Sequence, residues 1–319
     1  MPLMTLTRIL LLSFSLPACA SETPTETGPD ASPIIDAGVE PARATAPGVE
    51  PARATAPGVE PARATAPGVE PAVSPPCAAL FGSPNERTGL SAEQCSNSCR
   101  CGGQDFEALT YDAAFATRLR SYELHPPLDE LLSDPYATPA PPAEIGERVC
   151  AVVIDLETPL IYALETFDSE AHALAAGARP THFGPCGLCS TLADLAVYAT
   201  MPDLTQPVRT CGVKGLTEGD AANLDCLLEL GFTRPCAQIW SYNTRHTREQ
   251  CLATCLALLD APYHRPDGAL NDCLACDEEK SGPVFKAVAG RTRRNSGLAN
   301  TICRPCAEAR PINHDYKAR

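Results

Sequence analysis

The chain has 319 residues, of which 25 are basic and 39 acidic, for a formal net charge of −14. An acidic chain of this kind is a poor partner for nucleic acid or an anionic lipid surface. Seventeen cysteines exclude an ordinary reduced cytosolic domain and point to an oxidising compartment.

Residues 1–18 carry one positive charge, Arg8, followed by an apolar run from Ile9 to Leu16. That is the charge pattern and core length of a secretory signal peptide. The run is too short to span a bilayer as a helix, and no later stretch approaches 18 uninterrupted apolar residues. The leader ends in Leu16-Pro17-Ala18-Cys19. These residues resemble the bacterial lipobox, where signal peptidase II cuts before a diacylglyceryl-modified cysteine. Leu16, Ala18 and Cys19 match it, and Pro17 departs from the usual small residue. The resemblance implies a membrane partner through a lipid anchor at Cys19. Ala20-Ser21 after the cysteine imply the outer membrane, on its periplasmic or cell-surface face.

Residues 19–76 form the next segment. They are poor in aromatics and rich in Pro, Ala, Thr and Glu. The decapeptide Gly-Val-Glu-Pro-Ala-Arg-Ala-Thr-Ala-Pro occurs at 38–47, 48–57 and 58–67, then breaks off at 68–72. Ten residues with two prolines cannot build a solenoid unit, a helix or a central strand. The composition predicts a disordered or polyproline-II tether that holds the following domain off a membrane.

Residues 77–319 are long enough for one large or two small domains. Four of the basic and eight of the acidic residues precede residue 77, which leaves 21 basic and 31 acidic groups, a net charge of −10. This segment reads as α+β, predominantly helical, with one β-hairpin. Residues 77–104 read as a cysteine-rich loop with one short helix. Weak helices follow at Tyr111–Ser121 and Leu128–Ser133, then a Pro-rich connector at 138–142. The β-branched run in Arg148–Leu156 predicts a strand, Glu157-Thr158-Pro159 a turn, and Leu160–Thr166 the returning strand. Asp168 or Ser169 caps a short helix that ends at Gly177. Helices are predicted over Thr191–Ala199, around Leu224–Leu228 before Gly231, from a capping box at Thr247/Gln250 to near Leu259, and over 283–295 after Ser281-Gly282.

Sixteen cysteines lie in this segment: Cys77, Cys95, Cys99, Cys101, Cys150, Cys186, Cys189, Cys211, Cys226, Cys236, Cys251, Cys255, Cys273, Cys276, Cys303 and Cys306. An even set in an exported domain predicts eight disulfides. Cys251 and Cys255 are four apart in a predicted helix, so they share a face and suit a neighbouring element. Cys95 and Cys99 have the same spacing and offer such a neighbour. The Cys-x-x-Cys pairs 186/189, 273/276 and 303/306 lack zinc-ribbon separations, and no metal is expected.

Two patterns carry candidate chemistry. The first is His182-Phe183-Gly184-Pro185-Cys186-Gly187-Leu188-Cys189, placed just before a capped helix, where a thiol feels the positive end of the helix dipole. Cys186-x-x-Cys189 resembles the thioredoxin-like motif, which implies thiol–disulfide exchange with Cys186 attacking and Cys189 resolving. Cys186-Gly187-Leu188-Cys189 also looks like the segment around the papain-type nucleophile, which implies a Cys/His hydrolase. It departs from that pattern with Ser190 and Phe183 where an aromatic residue and a glutamine are expected. His182, His264 and His314 are the candidate bases. The second pattern is Arg291, Arg293, Arg294 and Asn295 at the end of the 283–295 helix. Clustered guanidiniums could clamp a carboxylate or phosphate, or they could simply complement the helix dipole. Trp240, the only tryptophan, reads as packing. No His-Glu-x-x-His, P-loop or Gly-x-Ser-x-Gly occurs, and no cofactor is expected. The leading expectation is a lipid-anchored structural or binding protein of the cell envelope, for an unknown envelope partner or small anionic ligand. The alternative is a thiol enzyme at Cys186/Cys189.

Overall fold

The computed structural model describes residue 77 and residues 79–138, 146–155 and 157–316. The leader, Cys19, the decapeptide tether and most of the 138–142 connector lie outside the described residues. Among the described residues no helix is long and apolar enough to cross a membrane.

The described chain begins at a small three-stranded sheet. Strand β1 (Leu80–Phe81) pairs parallel with β2 (Cys95–Ser96) and antiparallel with the late strand β9 (Arg304–Pro305). A hairpin, β3 (Ser98–Cys101) with β4 (Gln104–Glu107), follows directly. The predicted short helix of this region is absent. Gly102 and Gly103, both at positive φ, make the two-residue turn that two antiparallel strands need. This is a second hairpin, where one was expected.

Helix α1 (Ala113–Arg120) is capped by Asp112, whose carboxylate accepts from the Phe115 N–H at 2.8 Å. The helix predicted at Leu128–Ser133 does not form. Leu132 is fully exposed, so the segment has no apolar stripe to bury. It runs irregularly, with Leu131 N donating to Gln238 and Glu130 pairing with Arg234.

The main sheet grows from the β-branched run β6 (Val149–Ile154). It is antiparallel to β7 (Ile161–Phe167) and to β8 (Arg179–Phe183), while β5 (Glu123–Leu124) joins β7 in parallel, giving the order β5-β7-β6-β8. Alternation along β6 divides its side chains between two cores. Val149 and Ala151 pack with Phe167 and Ala173, the latter from α2 (Glu170–Ala175), whose N-cap is Ser169. Val152 instead joins Tyr162 beneath the helical body.

That body is built around α3 (Leu192–Thr200), capped by Thr191 and buried along Leu192, Leu195, Ala196 and Val197. Around it lie α4 (Thr205–Glu218), α5 (Asp220–Glu229), α6 (Arg234–Ala257), α7 (Asp272–Lys280) and α8 (Gly282–Ala289). The capping box predicted at Thr247 is mid-helix instead. The hydroxyl of Thr247 donates to Asp277 on α7, and α6 runs unbroken for 24 residues. The last predicted helix stops at Gly290 rather than reaching 295. The fold is α+β, predominantly helical and stapled by disulfides.

All sixteen cysteines from Cys77 onward are bonded: 77–101, 95–303, 99–306, 150–186, 189–236, 211–226, 251–276 and 255–273. Cys251 and Cys255 do reach a neighbouring helix, but it is α7. Cys95 and Cys99 bond to Cys303 and Cys306. They lie on β2 and β3, and their bonds clasp the two ends of the described chain together. A disulfide density this high belongs to a chain that matures in an oxidising compartment.

Candidate functional site

The 182–190 segment and the 290–296 segment, singled out separately in the sequence, meet in one place. Two local backbone features bring them together. On β8, Cys150 pairs with His182 and Ala151 with Pro180, so Thr181 is the extra residue of a β-bulge. At the end of α8, Gly290 has φ 71° and ψ −59°, and Arg291 N donates to Ala289 O at 2.8 Å. This is a γ-turn with positive φ, a conformation that calls for glycine. A Cβ there would also stand 2.6 Å from Gly187 N. The turn throws Arg291 back into the core, against the bulge.

Arg291 has no solvent exposure, and its five N–H groups meet five acceptors. Nε donates to Cys189 O (2.9 Å), Nη1 to Thr181 O (2.9 Å) and Ser296 Oγ (3.2 Å), Nη2 to Thr181 Oγ1 (2.7 Å) and Ser190 O (3.0 Å). The guanidinium is therefore internal cement. Arg291 does not serve an anion from solvent, and the dipole reading fails with it, because the helix ends before it. Asn295 is consumed as well. Its amide donates to Phe183 O and Gly290 O, and its carbonyl accepts from Thr292. Arg294 pairs with Glu308 at 3.1 Å. Of the four anion-site candidates only Arg293 is both buried and left with unpaired donors; Arg294 is partly exposed.

The thiol readings are corrected here. Cys186 is bonded to Cys150 and Cys189 to Cys236, so the two sulfurs are neither free nor joined to each other. Cys189 and both partner cysteines are fully buried. Exchange needs a Cys186–Cys189 disulfide that opens to an exposed thiol, and hydrolysis needs a thiolate. The spacing before a capped helix was right for a thiolate, but β6 and α6 each bring a cysteine to one of the pair. All six sulfurs of the three Cys-x-x-Cys pairs are likewise bonded elsewhere.

His182 belongs to the cement too. Its Nδ1 faces Phe183 O at 3.0 Å and must donate, so its Nε2 accepts from the Ser190 hydroxyl at 2.7 Å. This has the orientation of an activated serine. However, both side chains have no exposure, and Ser190 Oγ already accepts from Gly187 N. His314 closes the network from the other side, with Nε2 on Ser296 O (2.8 Å) and Nδ1 2.7 Å from the Tyr316 hydroxyl. The remaining candidate base, His264, accepts from Cys303 N and faces Gly268 O through Nδ1.

Both histidines beside Arg291 are held neutral. Burial, then the charge of Arg291, push His182 well below its ordinary range and His314 down to about 3. A depressed histidine stabilises the fold above the unfolded value near 6.5, and that stability is lost as pH falls. Asp194 opposes them. Burial raises it to about 6, so its share is lost as pH rises. Burial likewise depresses His264 and raises Asp277, so three protons outweigh two. We expect the urea midpoint to fall steadily from pH 7 to pH 4, and less steeply in H314Q. A flat or rising midpoint on acidification would refute this account.

Beside the cement lies a cavity of about 610 Å³, walled by α4, α6, α8 and the 292–300 turn. Its inner wall includes Tyr198, Trp240, Phe285, Leu298 and Arg293. Its outer wall includes Val213, Leu216, Leu252 and Leu256, all with substantial exposure. Composition and spacing gave no sign of this cavity, because it is formed by helices that meet only in the fold. The one available signal was the apolar surface positions of α4 and α6.

Residues 220–312 match a family described as a family of unknown function (DUF8771). No curated protein and no solved structure matches the chain. The matched stretch runs from α5 through the arginine cement. Four of its cysteines, Cys226, Cys236, Cys303 and Cys306, bond to cysteines outside it. The matched residues therefore depend covalently on the rest of the domain.

Proposed function

We propose that the protein is a lipid-anchored binding module of the bacterial cell envelope. On this reading the chain is cut before Cys19, acylated there and held at the outer membrane, with residues 19–76 as a spacer and residues 77–319 as the working domain. The observation that carries the reading is the full pairing of sixteen cysteines. A domain that spends eight disulfides on rigidity and keeps His182, His264, His314, Arg291 and Asn295 for internal bonds is suited to presenting a fixed surface. The lipobox resemblance supports the anchor, and the acidic balance favours a partner other than nucleic acid.

Intact-mass measurement of the mature protein, alkylated without reduction, tests this directly. The expected mass starts at Cys19, carries a diacylglyceryl group and takes up no alkylating agent. A mature chain that starts elsewhere, or that carries no lipid, removes the anchor. Label on any cysteine between 77 and 306 removes the fully stapled domain.

A further inference from the structure

Arg293 is only 6 % exposed, yet its guanidinium is mostly unpaired. Nη1 donates to Ala299 O at 3.1 Å, and the group sits 5.9 Å from the centre of the Tyr198 ring. Nε and Nη2 have no hydrogen-bond partner among the described residues. Those two nitrogens form one edge of the guanidinium plane, the edge that grips a carboxylate or phosphate with two parallel bonds. A buried donor without a partner costs about 1–3 kcal/mol, and more when charged. Native proteins seldom leave such groups dry without a reason.

The surroundings narrow what belongs there. Most other cations on the cavity wall have partners: Arg248 pairs with Asp220 through Nη2, Lys286 and Arg304 with Glu278, Arg294 with Glu308, and Arg209 donates to Leu259 O, while Arg310 is exposed and lies over the Phe183 ring. The carboxylate whose field reaches Arg293 is Asp203, and it is engaged by the Tyr263 hydroxyl and by Thr205 N at the start of α4. Burial lowers Arg293 to about 10, which leaves it charged at neutral pH. Around Arg293 the cavity surface is mostly apolar. It continues from Trp240, Phe285 and Leu298 to the exposed side chains of Val213, Leu216, Leu252 and Leu256. A volume of about 610 Å³ is ordinary for a small-molecule site, about 300–1,000 Å³.

We propose that this cavity binds a single-headed amphiphile, an acyl or alkyl chain that ends in a carboxylate or phosphate. The head takes the Nε/Nη2 edge of Arg293. The chain lies along Trp240 and Phe285 and leaves between α4 and α6. This rests on the binding role proposed above and names its ligand class. Free fatty acid and anionic phospholipid share that chemistry.

Trp240, the single tryptophan, is on the wall and provides the readout. Purified full chain is titrated with 11-bromoundecanoate, with 11-bromoundecanol, and with vesicles of bromine-labelled phosphatidylglycerol. Saturable quenching by the carboxylate is expected, at least tenfold weaker with the alcohol and at least tenfold weaker in R293M. Quenching by the vesicles that also depends on Arg293 identifies a membrane lipid as the source. Quenching confined to the soluble carboxylate identifies a free fatty acid. R293K keeps the charge without the fork and should bind between native and R293M. R293M should unfold at the native midpoint or above it, because it removes an unpaired buried charge. L252N/L256N alters exposed positions only and should weaken bromoundecanoate several-fold. Equal quenching by acid and alcohol overturns the proposal, as does quenching by acid and vesicles that ignores Arg293. Such a failure in a protein that carries its lipid at Cys19 leaves the anchored role intact. Arg293-dependent quenching in a protein without that lipid does the reverse.

Discussion

Replacing Arg291 with methionine is expected to destabilise the domain by at least about 3 kcal/mol. The substitution strands three carbonyl oxygens, Thr181 O, Cys189 O and Ser190 O, each at about 1–3 kcal/mol when buried without a donor. The two hydroxyls, Thr181 Oγ1 and Ser296 Oγ, can turn to other partners, so they add less. In a domain of this size such a loss lowers the melting temperature by roughly 6–12 °C. R291K is the informative companion. Lysine retains the charge but offers three donors without the planar fork, so it should recover only part of the loss. If R291M melts within a degree or two of the native protein, the buried guanidinium is not what joins the β8 bulge to the end of α8. The contrast with Arg293 is the sharper test. Two buried arginines two residues apart should respond in opposite ways to methionine, because one has every donor used and the other has two left over.

Removing the two clasps at the ends of the described chain should be markedly non-additive. Cys95–Cys303 and Cys99–Cys306 join positions 208 and 207 apart. The staples at 150–186, 189–236 and 251–276 shorten the enclosed loop to roughly 100 residues, for which chain entropy gives about 4.7 kcal/mol. Once either clasp is closed, the other closes a ring of only roughly ten residues, worth about 2.7 kcal/mol. C95A/C303A alone and C99A/C306A alone should therefore each cost about 2.7 kcal/mol, whereas the quadruple variant should cost about 7. Urea unfolding of the three variants measures the difference. Strict additivity would mean that the clasps act through local packing rather than by restricting the unfolded chain.

Features set by local chemistry were legible in the sequence. The β6–β7 hairpin followed from Val149-Cys150-Ala151-Val152-Val153-Ile154 and the Thr158-Pro159 turn. The cap of α2 was visible at Asp168 or Ser169, and Ser169 fills it; α3 was placed from Thr191, which proves to be its cap. Elements whose stability comes from partners were not legible. Helix α4 carries Pro207, Gly212 and Gly215, and its sequence reads as a poor helix. It forms because Cys211 ties it to α5 and because Gly215 lets Asn223 approach closely. The β3–β4 hairpin was signalled by Gly102-Gly103 and was obscured by the cysteines around it. At the site, the residues of 182–190 and 291–295 were recognised as unusual, and Cys186 and Cys189 were rightly expected among the disulfides, but Arg291 was not expected to be buried, nor Asn295 to be held by internal bonds. Gly290 was the available warning, since a glycine at that point ends the helix and turns Arg291 inward. Which arginine would be left with free donors depends on carbonyls brought from β8 and α3, and no linear reading can supply that.

The clasp also has a mechanical meaning. Tension that enters the domain at Cys77 and leaves beyond Cys306 passes through Cys77–Cys101 and the short strands β2 and β3. It then crosses two covalent bridges directly to Cys303 and Cys306. The roughly 200 residues between, with the arginine cement and the cavity, are bypassed. A chain pulled at both ends would lengthen by only a few residues before the pull reached sulfur–sulfur bonds. The interior would keep its shape under forces that unravel an unstapled domain.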